Sequence, residues 1–148
     1  MTNSASARIG WTLQDCEDHF GPPVNTDWSE GPRRGYTFKH GGMTIEVYFD
    51  KAAGKVNVIE YRLPRPFFVE EIIDLMKKNI EGTDMKWIET PDKSPITDDK
   101  VNPVGYDQVY TTTQDPEGFF IECRAPFYPN RPPRSVMFTL IKGSTSGL

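Results

Sequence analysis

The chain has 148 residues, of which 36% are hydrophobic and 26% charged, and its formal net charge is −4. The length fits one domain with its own core, and the apolar content excludes a disordered chain. The acidic balance argues against a protein that binds nucleic acid by neutralising phosphates, and no apolar run reaches the length of a membrane span.

Both ends of the chain, residues 1–9 and 143–148, are small and polar, and we expect them to be loose. The first ten residues lack the apolar region of a secretion signal, so the sequence as written reads as cytoplasmic, and an extracytoplasmic location is the open alternative. Ala5-Ser6-Ala7 matches the small-residue pattern of a signal-cleavage site. The location would therefore be extracytoplasmic if residues 1–7 were the remnant of a removed signal.

The first half of the chain predicts one helix followed by three strands. Thr12 can cap a helix by accepting from the amide of Asp15, and Gly21-Pro22-Pro23 ends it. Residues 24–34 read as an irregular loop that carries Trp28. Three runs of alternating apolar residues then predict an antiparallel meander: Tyr36–Phe38, Met43–Phe49 and Lys55–Leu63.

The last of these runs has an ambiguous register. Val56 and Val58 share one face of a regular strand, whereas Ile59 and Tyr61 take the other face. A bulge, or a strand covered on both faces, would explain this pattern.

After the break at Pro64–Pro66, the second half predicts a helix and about four strands. Apolar spacing predicts a helix from Phe68 to Ile80, and Gly82 ends it. Its buried stripe is predicted to consist of Val69, Ile72, Ile73, Met76 and Ile80. The strands are predicted at Met85–Thr90, Gly105–Thr113, Gly118–Ala125 and Arg134–Lys142. The connections are a polar loop at Pro91–Val104 and a proline-rich loop at Pro126–Pro133.

Each predicted helix has one apolar stripe and each sheet one apolar face, which can be buried only by packing helix on sheet. The sequence therefore predicts an α+β fold with two helix-plus-antiparallel-meander units. These units, residues 10–63 and 66–142, would form one curved sheet with the helices packed on one face. We expect a single domain over residues 1–148, with a weak internal repeat in pattern rather than in residue identity.

The run Gly10-Trp11-Thr12-Leu13 through Phe20-Gly21-Pro22 resembles a helix end in small bacterial proteins of the β-lactamase-inhibitor-protein-like fold. That fold includes the outer-membrane-assembly lipoproteins of the SmpA/OmlA type. The strands from Tyr36 to Tyr61, with Gly54-Lys55-Val56 between them, are similar to strands of the same proteins. The resemblance covers the first half of the chain and continues in the second half through element order. It implies an α+β fold and a non-enzymatic binding or assembly role.

Sequence motifs for catalysis or phosphate binding are missing, and we predict no catalytic residue, no cofactor and no metal. His19 and His40 have no spacing that indicates a zinc site. An alternative calcium site would use loop carboxylates, which are Asp92, Asp98 and Asp99. An alternative enzyme would use paired strand carboxylates, for which the candidates are Glu46, Glu60 and Glu122.

Both cysteines, Cys16 and Cys123, lie among apolar residues, which predicts buried free thiols. A disulfide between the two halves is the alternative in an oxidising compartment. A catalytic role is disfavoured because apolar surroundings raise the pKa of a thiol.

The strongest functional signal is a set of aromatic and arginine residues at outward strand positions or in proline-containing loops. Such residues are typical anchors of protein–protein interfaces. The predicted binding residues are Trp28, Tyr48, Tyr61, Phe127, Tyr128, Arg131 and Arg134. The sequence therefore predicts a non-catalytic protein-binding or inhibitor/assembly module whose partner is another protein. The alternative is a small enzyme, or a carrier of an apolar ligand, with a pocket between helix and sheet.

Overall fold

The computed structural model describes residues 9–30, 33–50, 52–88 and 91–143, without the side chains of 26–34. Its helices are α1 (Leu13–Phe20) and α2 (Val69–Ile80). Its strands are β1 (Asn25–Glu30), β2 (Arg33–His40), β3 (Met43–Asp50), β4 (Lys55–Arg62), β5 (Asp92–Thr97), β6 (Pro103–Thr111), β7 (Phe119–Phe127) and β8 (Ser135–Lys142).

The strands of the described ranges form one antiparallel sheet in the order β1-β2-β3-β4-β8-β7-β6-β5. Neighbours in sequence are neighbours in the sheet from β1 to β4 and again from β5 to β8. Strands β4 and β8 meet at the centre of the sheet, and β1 and β5 are its edges. The predicted α+β class with an antiparallel sheet is confirmed.

Both helices contribute to one core on one side of the sheet, which we call the inner face; the opposite side is the outer face. The core cluster joins Cys16 of α1 and Leu75 and Met76 of α2 to inner-face residues of the strands. Its fully buried members include Phe38, Ile45, Val47, Ile59, Tyr61, Cys123, Val136 and Phe138. Because side chains alternate along a strand, the residues between these positions point to the outer face.

Helix α1 begins and ends where the sequence predicts. The hydroxyl of Thr12 accepts from the Asp15 amide at 3.1 Å, and the Asp15 carboxylate accepts from the Thr12 amide at 3.0 Å. This reciprocal pair satisfies two amides that the helix itself leaves free. Gly21 then adopts φ 84°, a conformation that only glycine enters without a steric penalty.

Helix α2 is rotated relative to the predicted stripe. Val69 and Ile73 are 67% and 44% exposed, so their predicted burial is wrong. Ile72 and Met76 are buried as predicted, and the positions that complete the buried face are Leu75 and Asn79. The buried spacing is still i, i+3, i+4 and i+7. Because Ile72 and Ile73 are adjacent, the apolar pattern fits two helix faces that differ by one residue. Asn79 is polar, so the pattern gave no indication that its position is buried.

Asn79 is a buried polar connection between three parts of the chain. Its Oδ1 accepts from the Ile9 amide at 3.1 Å. Its Nδ2 donates to the Leu75 carbonyl at 2.9 Å and to the Tyr61 hydroxyl at 3.3 Å. The side chain therefore links the segment before α1, helix α2 and strand β4.

Strand β4 contains the irregularity that its sequence predicts. Tyr48 pairs with Val58 and Phe49 pairs with Val56, so Asn57 is an extra residue in the ladder. This bulge shifts the alternation by one residue and brings Val56 to the inner face with Ile59 and Tyr61. Tyr61 is 0% exposed, so its predicted exposure on an outward strand position is wrong.

Three connections differ from the sequence prediction. Residues 25–30 form β1, although residues 24–34 read as a loop. Of the strand predicted at Met85–Thr90, residues 85–88 make only a single bridge, from Trp87 to Thr112, and residues 89–90 lie outside the described residues. Strand β5 lies at Asp92–Thr97, within the predicted polar loop. The sequence does not predict this strand because its residues are mostly polar. An edge strand has few side chains to bury and therefore needs little apolar content.

Candidate binding site

A cleft of about 500 Å³ lies at the connection between β7 and β8. We call it the β7–β8 cleft, and its lining residues are Pro126, Tyr128, Arg131, Pro132, Pro133, Arg134 and Ser135. It brings together three of the predicted binding residues, which are Tyr128, Arg131 and Arg134. Tyr128 is 37% exposed, and both arginines are exposed as well.

A tight turn shapes one wall of the cleft. The Tyr128 amide donates to the Arg131 carbonyl at 3.2 Å, and the Arg131 amide donates to the Tyr128 carbonyl at 3.0 Å. Pro129 and Asn130 occupy the two central positions, and Asn130 has φ 60°. Proline followed by asparagine at positive φ fits a type II turn. The turn lets the Arg131 guanidinium stack over the Tyr128 ring at 5.4 Å.

Backbone hydrogen bonds anchor the other wall to the segment before α2. The Phe67 amide donates to the Pro133 carbonyl at 2.8 Å, and the Leu63 amide donates to the Arg134 carbonyl at 3.0 Å. Consecutive prolines restrict this stretch further because each fixes its own φ. The cleft is therefore largely preformed, and its own residues would lose little conformational entropy when a partner binds.

Gly105 of β6 makes room for the Tyr128 ring. A β-carbon at this position would lie 2.9 Å from Cδ1 of Tyr128 and would also collide with the Phe127 carbonyl oxygen. The glycine is therefore required by close packing and not by its backbone angle.

The cationic groups of the cleft have no carboxylate partner in the described part of the chain. The ion pairs described there use other arginines, namely Arg62, Arg65 and Arg124. Arg131 and Arg134 remain available to an incoming group. A guanidinium presents a planar fork of donors that matches carboxylate and phosphate oxygens.

Two arginine–carboxylate clusters flank the cleft on the outer face. In the first, Arg62 contacts Glu60 at 2.9 Å and also Glu46. In the second, Arg124 contacts Glu122 at 2.6 Å and Asp107 at 3.3 Å. Each cluster combines two carboxylates with one guanidinium and therefore carries an excess of one negative charge.

Strand pairing places the cleft between these clusters. Ser135, in the cleft lining, pairs with Arg62, and Pro126 on the other side pairs with Asp107. Met137 of β8 pairs with both Glu60 and Arg124. An incoming partner would therefore meet a cationic centre with an acidic cluster on each side.

Burial and ion pairing shift the proton affinities in the clusters. Burial raises the pKa of Glu60, and the neighbouring Arg62 partly opposes this rise. The hydrogen bond to Glu122 raises the pKa of Arg124. Glu60 is therefore protonated more easily than an ordinary exposed glutamate, whereas Arg124 stays charged.

The structure places the remaining predicted binding residues elsewhere. Phe127 ends β7 instead of lying in the loop, and its ring stacks on Tyr106 at 5.3 Å with a 10° interplanar angle. Tyr48 lies half-buried on the outer face, where it pairs with Gly35 and Val58. Tyr61 belongs to the core. The side chain of Trp28 lies outside the described residues.

Sequence reasoning named the cluster carboxylates Glu46, Glu60 and Glu122, which the structure places in ion pairs with arginine. It missed these arginines, although a signal for them was present. The tripeptide Glu60-Tyr61-Arg62 recurs as Glu122-Cys123-Arg124, and in both the middle residue is 0% exposed. A buried residue between two charged ones on a strand places both charges on the opposite face. This repeat identifies the two Glu–Arg pairs of the outer face, and only the structure shows that Glu46 joins the first pair and Asp107 the second.

A second crevice of about 410 Å³ lies between the helices and the β2–β3 turn, lined by His19, His40, Gly41, Met43, Glu71, Asp74, Leu75 and Lys78. The two imidazole rings are 5.2 Å apart. Burial lowers the pKa of His19, and the positive groups nearby act in the same direction.

The two carboxylates of this crevice are each neutralised by a neighbour. Glu71 binds the Arg65 guanidinium through two hydrogen bonds of 2.8 Å, and Asp74 pairs with Lys78 at 2.9 Å. Together with the Phe68 amide, Arg65 lowers the pKa of Glu71 to about 2. Such paired carboxylates are poorly suited to act as a general acid and base.

The other candidate groups have structural partners or are buried. Cys16 and Cys123 are free and buried, and burial raises the pKa of both thiols, to about 12 for Cys16. Asp98, from the alternative calcium site, accepts from the amides of Lys100 and Asn102. Among the described residues there is no group of three or more ligating side chains that could hold a metal ion.

Comparisons with known family models, curated proteins and solved structures gave no match to this chain. None of the helices in the described ranges is long and apolar enough to cross a membrane.

Proposed function

We propose that this protein is a non-catalytic protein-binding module and that the β7–β8 cleft is the centre of its interface. The observation that carries the proposal is the convergence of Tyr128, Arg131 and Arg134 in one preformed cleft. Tyrosine and arginine are the side chains most often found among the residues that dominate binding energy at interfaces.

The outer face extends this surface beyond the cleft. No helix of the described ranges packs on it, and half-buried apolar side chains lie beside its charged clusters, including Tyr48, Phe120, Met137 and Ile141. A partly apolar surface with ion pairs at its margin suits a partner protein better than a small molecule.

The alternative function, catalysis or ligand carriage in a pocket between helix and sheet, has weaker support. The crevice of His19 and His40 lies in the expected place, but five of its eight lining residues are histidine, glutamate, aspartate or lysine. Its carboxylates are held in ion pairs.

We also propose that residues 10–63 and 66–142 are two copies of one unit. The support is the matching order of the two halves, each of which has one helix and four antiparallel strands that are neighbours in the sheet. The resemblance to the β-lactamase-inhibitor-protein-like and SmpA/OmlA-type proteins remains a prediction. It is compatible with a binding role.

Panning against phage-displayed random twelve-residue peptides tests the proposed function. We expect the wild-type protein to enrich peptides, and the Tyr128→Ala variant to lose roughly tenfold or more in affinity for them, because the central aromatic anchor is removed. The melting temperature should change little, because the Tyr128 side chain lies at the surface.

Ile73→Ala is the matched control, because it removes an exposed apolar side chain from the other side of the sheet. It should leave the affinity unchanged. Enriched peptides that bind Tyr128→Ala as well as wild type would contradict the proposed function.

A further inference from the structure

The charge pattern around the cleft distinguishes between classes of partner. At its centre, the guanidiniums of Arg131 and Arg134 have no carboxylate partner within the described residues. On either side, the Arg62 and Arg124 clusters each carry one excess negative charge. The cleft is therefore a small positive site between two negative ones.

This pattern disfavours a long polyanion. A nucleic acid presents a negative charge at every phosphate, so its backbone would meet the acidic clusters as soon as it left the cleft. A short acidic motif with neutral or basic flanks is complementary in charge to the cleft and to both flanking clusters. Complementary charge of this kind increases the association rate and disfavours wrong partners.

The uncharged part of the lining indicates the shape of the partner segment. Three prolines and the Tyr128 ring surround the two arginines. Aromatic and proline surfaces pack well against an extended segment containing proline or aliphatic residues, because such a segment loses little entropy on binding.

We infer that the β7–β8 cleft binds an extended acidic segment of a partner protein, with its aspartate or glutamate carboxylates held by Arg131 and Arg134. This inference rests on the proposed function and specifies the partner's chemistry. Carboxylates fit the paired donor forks of the guanidiniums, and one or two of them neutralise the site without adding charge opposite Glu46, Glu60, Glu122 or Asp107.

The test uses fluorescein-labelled synthetic copies of the peptides recovered by panning. Each is made in three versions: as recovered, with Asp and Glu replaced by Asn and Gln, and with phosphoserine at the acidic positions. A twelve-nucleotide single-stranded DNA is the fourth probe. Fluorescence anisotropy gives the dissociation constant at low and high salt.

We expect the recovered peptides to be acidic at their centre and the amide copies to bind at least tenfold more weakly. Arg134→Gln and Arg131→Gln should each weaken the acidic peptide about tenfold and reduce its salt dependence. Arg134→Gln is the cleaner variant, because the guanidinium of Arg131 also contacts the Tyr128 ring. Lys77→Gln removes the same charge from the exposed side of α2 and should have no effect.

Three results would overturn the inference. In the first, the amide copies bind as tightly as the acidic peptides while binding still depends on Tyr128. This result would show that the partner segment need not be acidic, and it would leave the proposed function intact. Tighter binding of the phosphoserine copies or of the DNA at the cleft would show that carboxylates are not the preferred group. Binding that is indifferent to Tyr128→Ala would overturn both the inference and the proposed function.

Discussion

Replacement of Asn79 by alanine should destabilise the protein strongly, although the residue is neither apolar nor close to the cleft. Its side chain is 2% exposed and makes three hydrogen bonds. Alanine removes all three and leaves the Ile9 amide and the Tyr61 hydroxyl without this partner. The loss should loosen the attachment of the first described residues and of α2 to the sheet.

The magnitude follows from the geometry. A protein hydrogen bond contributes about 1 kcal/mol net, so three lost bonds correspond to about 3 kcal/mol. The higher helix propensity of alanine returns roughly 0.5 kcal/mol. We therefore expect a decrease of about 2–3 kcal/mol in the free energy of unfolding, which corresponds to a melting temperature lower by roughly 4–12 °C for a domain of this size.

Urea denaturation at neutral pH measures this change, and Lys77→Ala on the exposed side of the same helix is the control. The control should lie within about 0.5 kcal/mol of wild type, as surface substitutions usually do. If Asn79→Ala were as stable as Lys77→Ala, the buried polar connection between Ile9, α2 and β4 would not exist as described.

Two further predictions concern Glu71 and Gly105. The folded-state pKa of Glu71, about 2, lies below the ordinary glutamate value of 4.5, so its contribution to stability is present above pH 4.5 and is lost as pH falls toward 2. The Glu71→Gln variant should lose this part of the acid dependence in urea titrations across that range, and an unchanged profile would refute the role of Arg65. Gly105→Ala should lower stability by about 1–3 kcal/mol and weaken cleft binding, because a β-carbon collides with Phe127 and Tyr128; a variant as stable as wild type would contradict this packing.

Local rules predicted the parts of the fold that local chemistry determines. The capping pair of Thr12 and Asp15 and the glycine at position 21 fix α1 without tertiary information. An irregularity in β4 was also visible, since its apolar residues do not alternate, and the structure shows a bulge instead of a strand covered on both faces. The bulge made Tyr61 ambiguous, and only its pairing with Ile45 and Val136 assigns it to the core.

Tertiary contacts decided the elements that the sequence did not predict. The sequence predicts a strand at Met85–Thr90 because Trp87 and its neighbours favour one. Trp87 instead donates to the Met76 carbonyl at 2.7 Å and packs on Phe138, so it closes the end of the core. Strand β5 is held by its pairing with β6, from Asp92 opposite Val109 to Thr97 opposite Pro103.

The part of the candidate site that is local in sequence was predicted, whereas the part that depends on tertiary contacts was not. The proline-rich stretch with Tyr128, Arg131 and Arg134 stands out in composition, and proximity in sequence kept these residues together. The flanking clusters combine strands β3, β4, β6 and β7, so they depend on strand order. That order follows from the β4–β8 pairing, which no local pattern specifies.

The most direct test of the central claim is a chemical-shift map of ¹⁵N-labelled protein titrated with one acidic peptide recovered by panning. The account predicts that the largest amide shifts lie at Tyr128, Arg131, Arg134 and Ser135 and continue onto outer-face residues of β4 and β7. Shifts concentrated instead around His19 and His40 would place binding in the crevice between the helices and the sheet. That result would contradict the account and favour the alternative pocket.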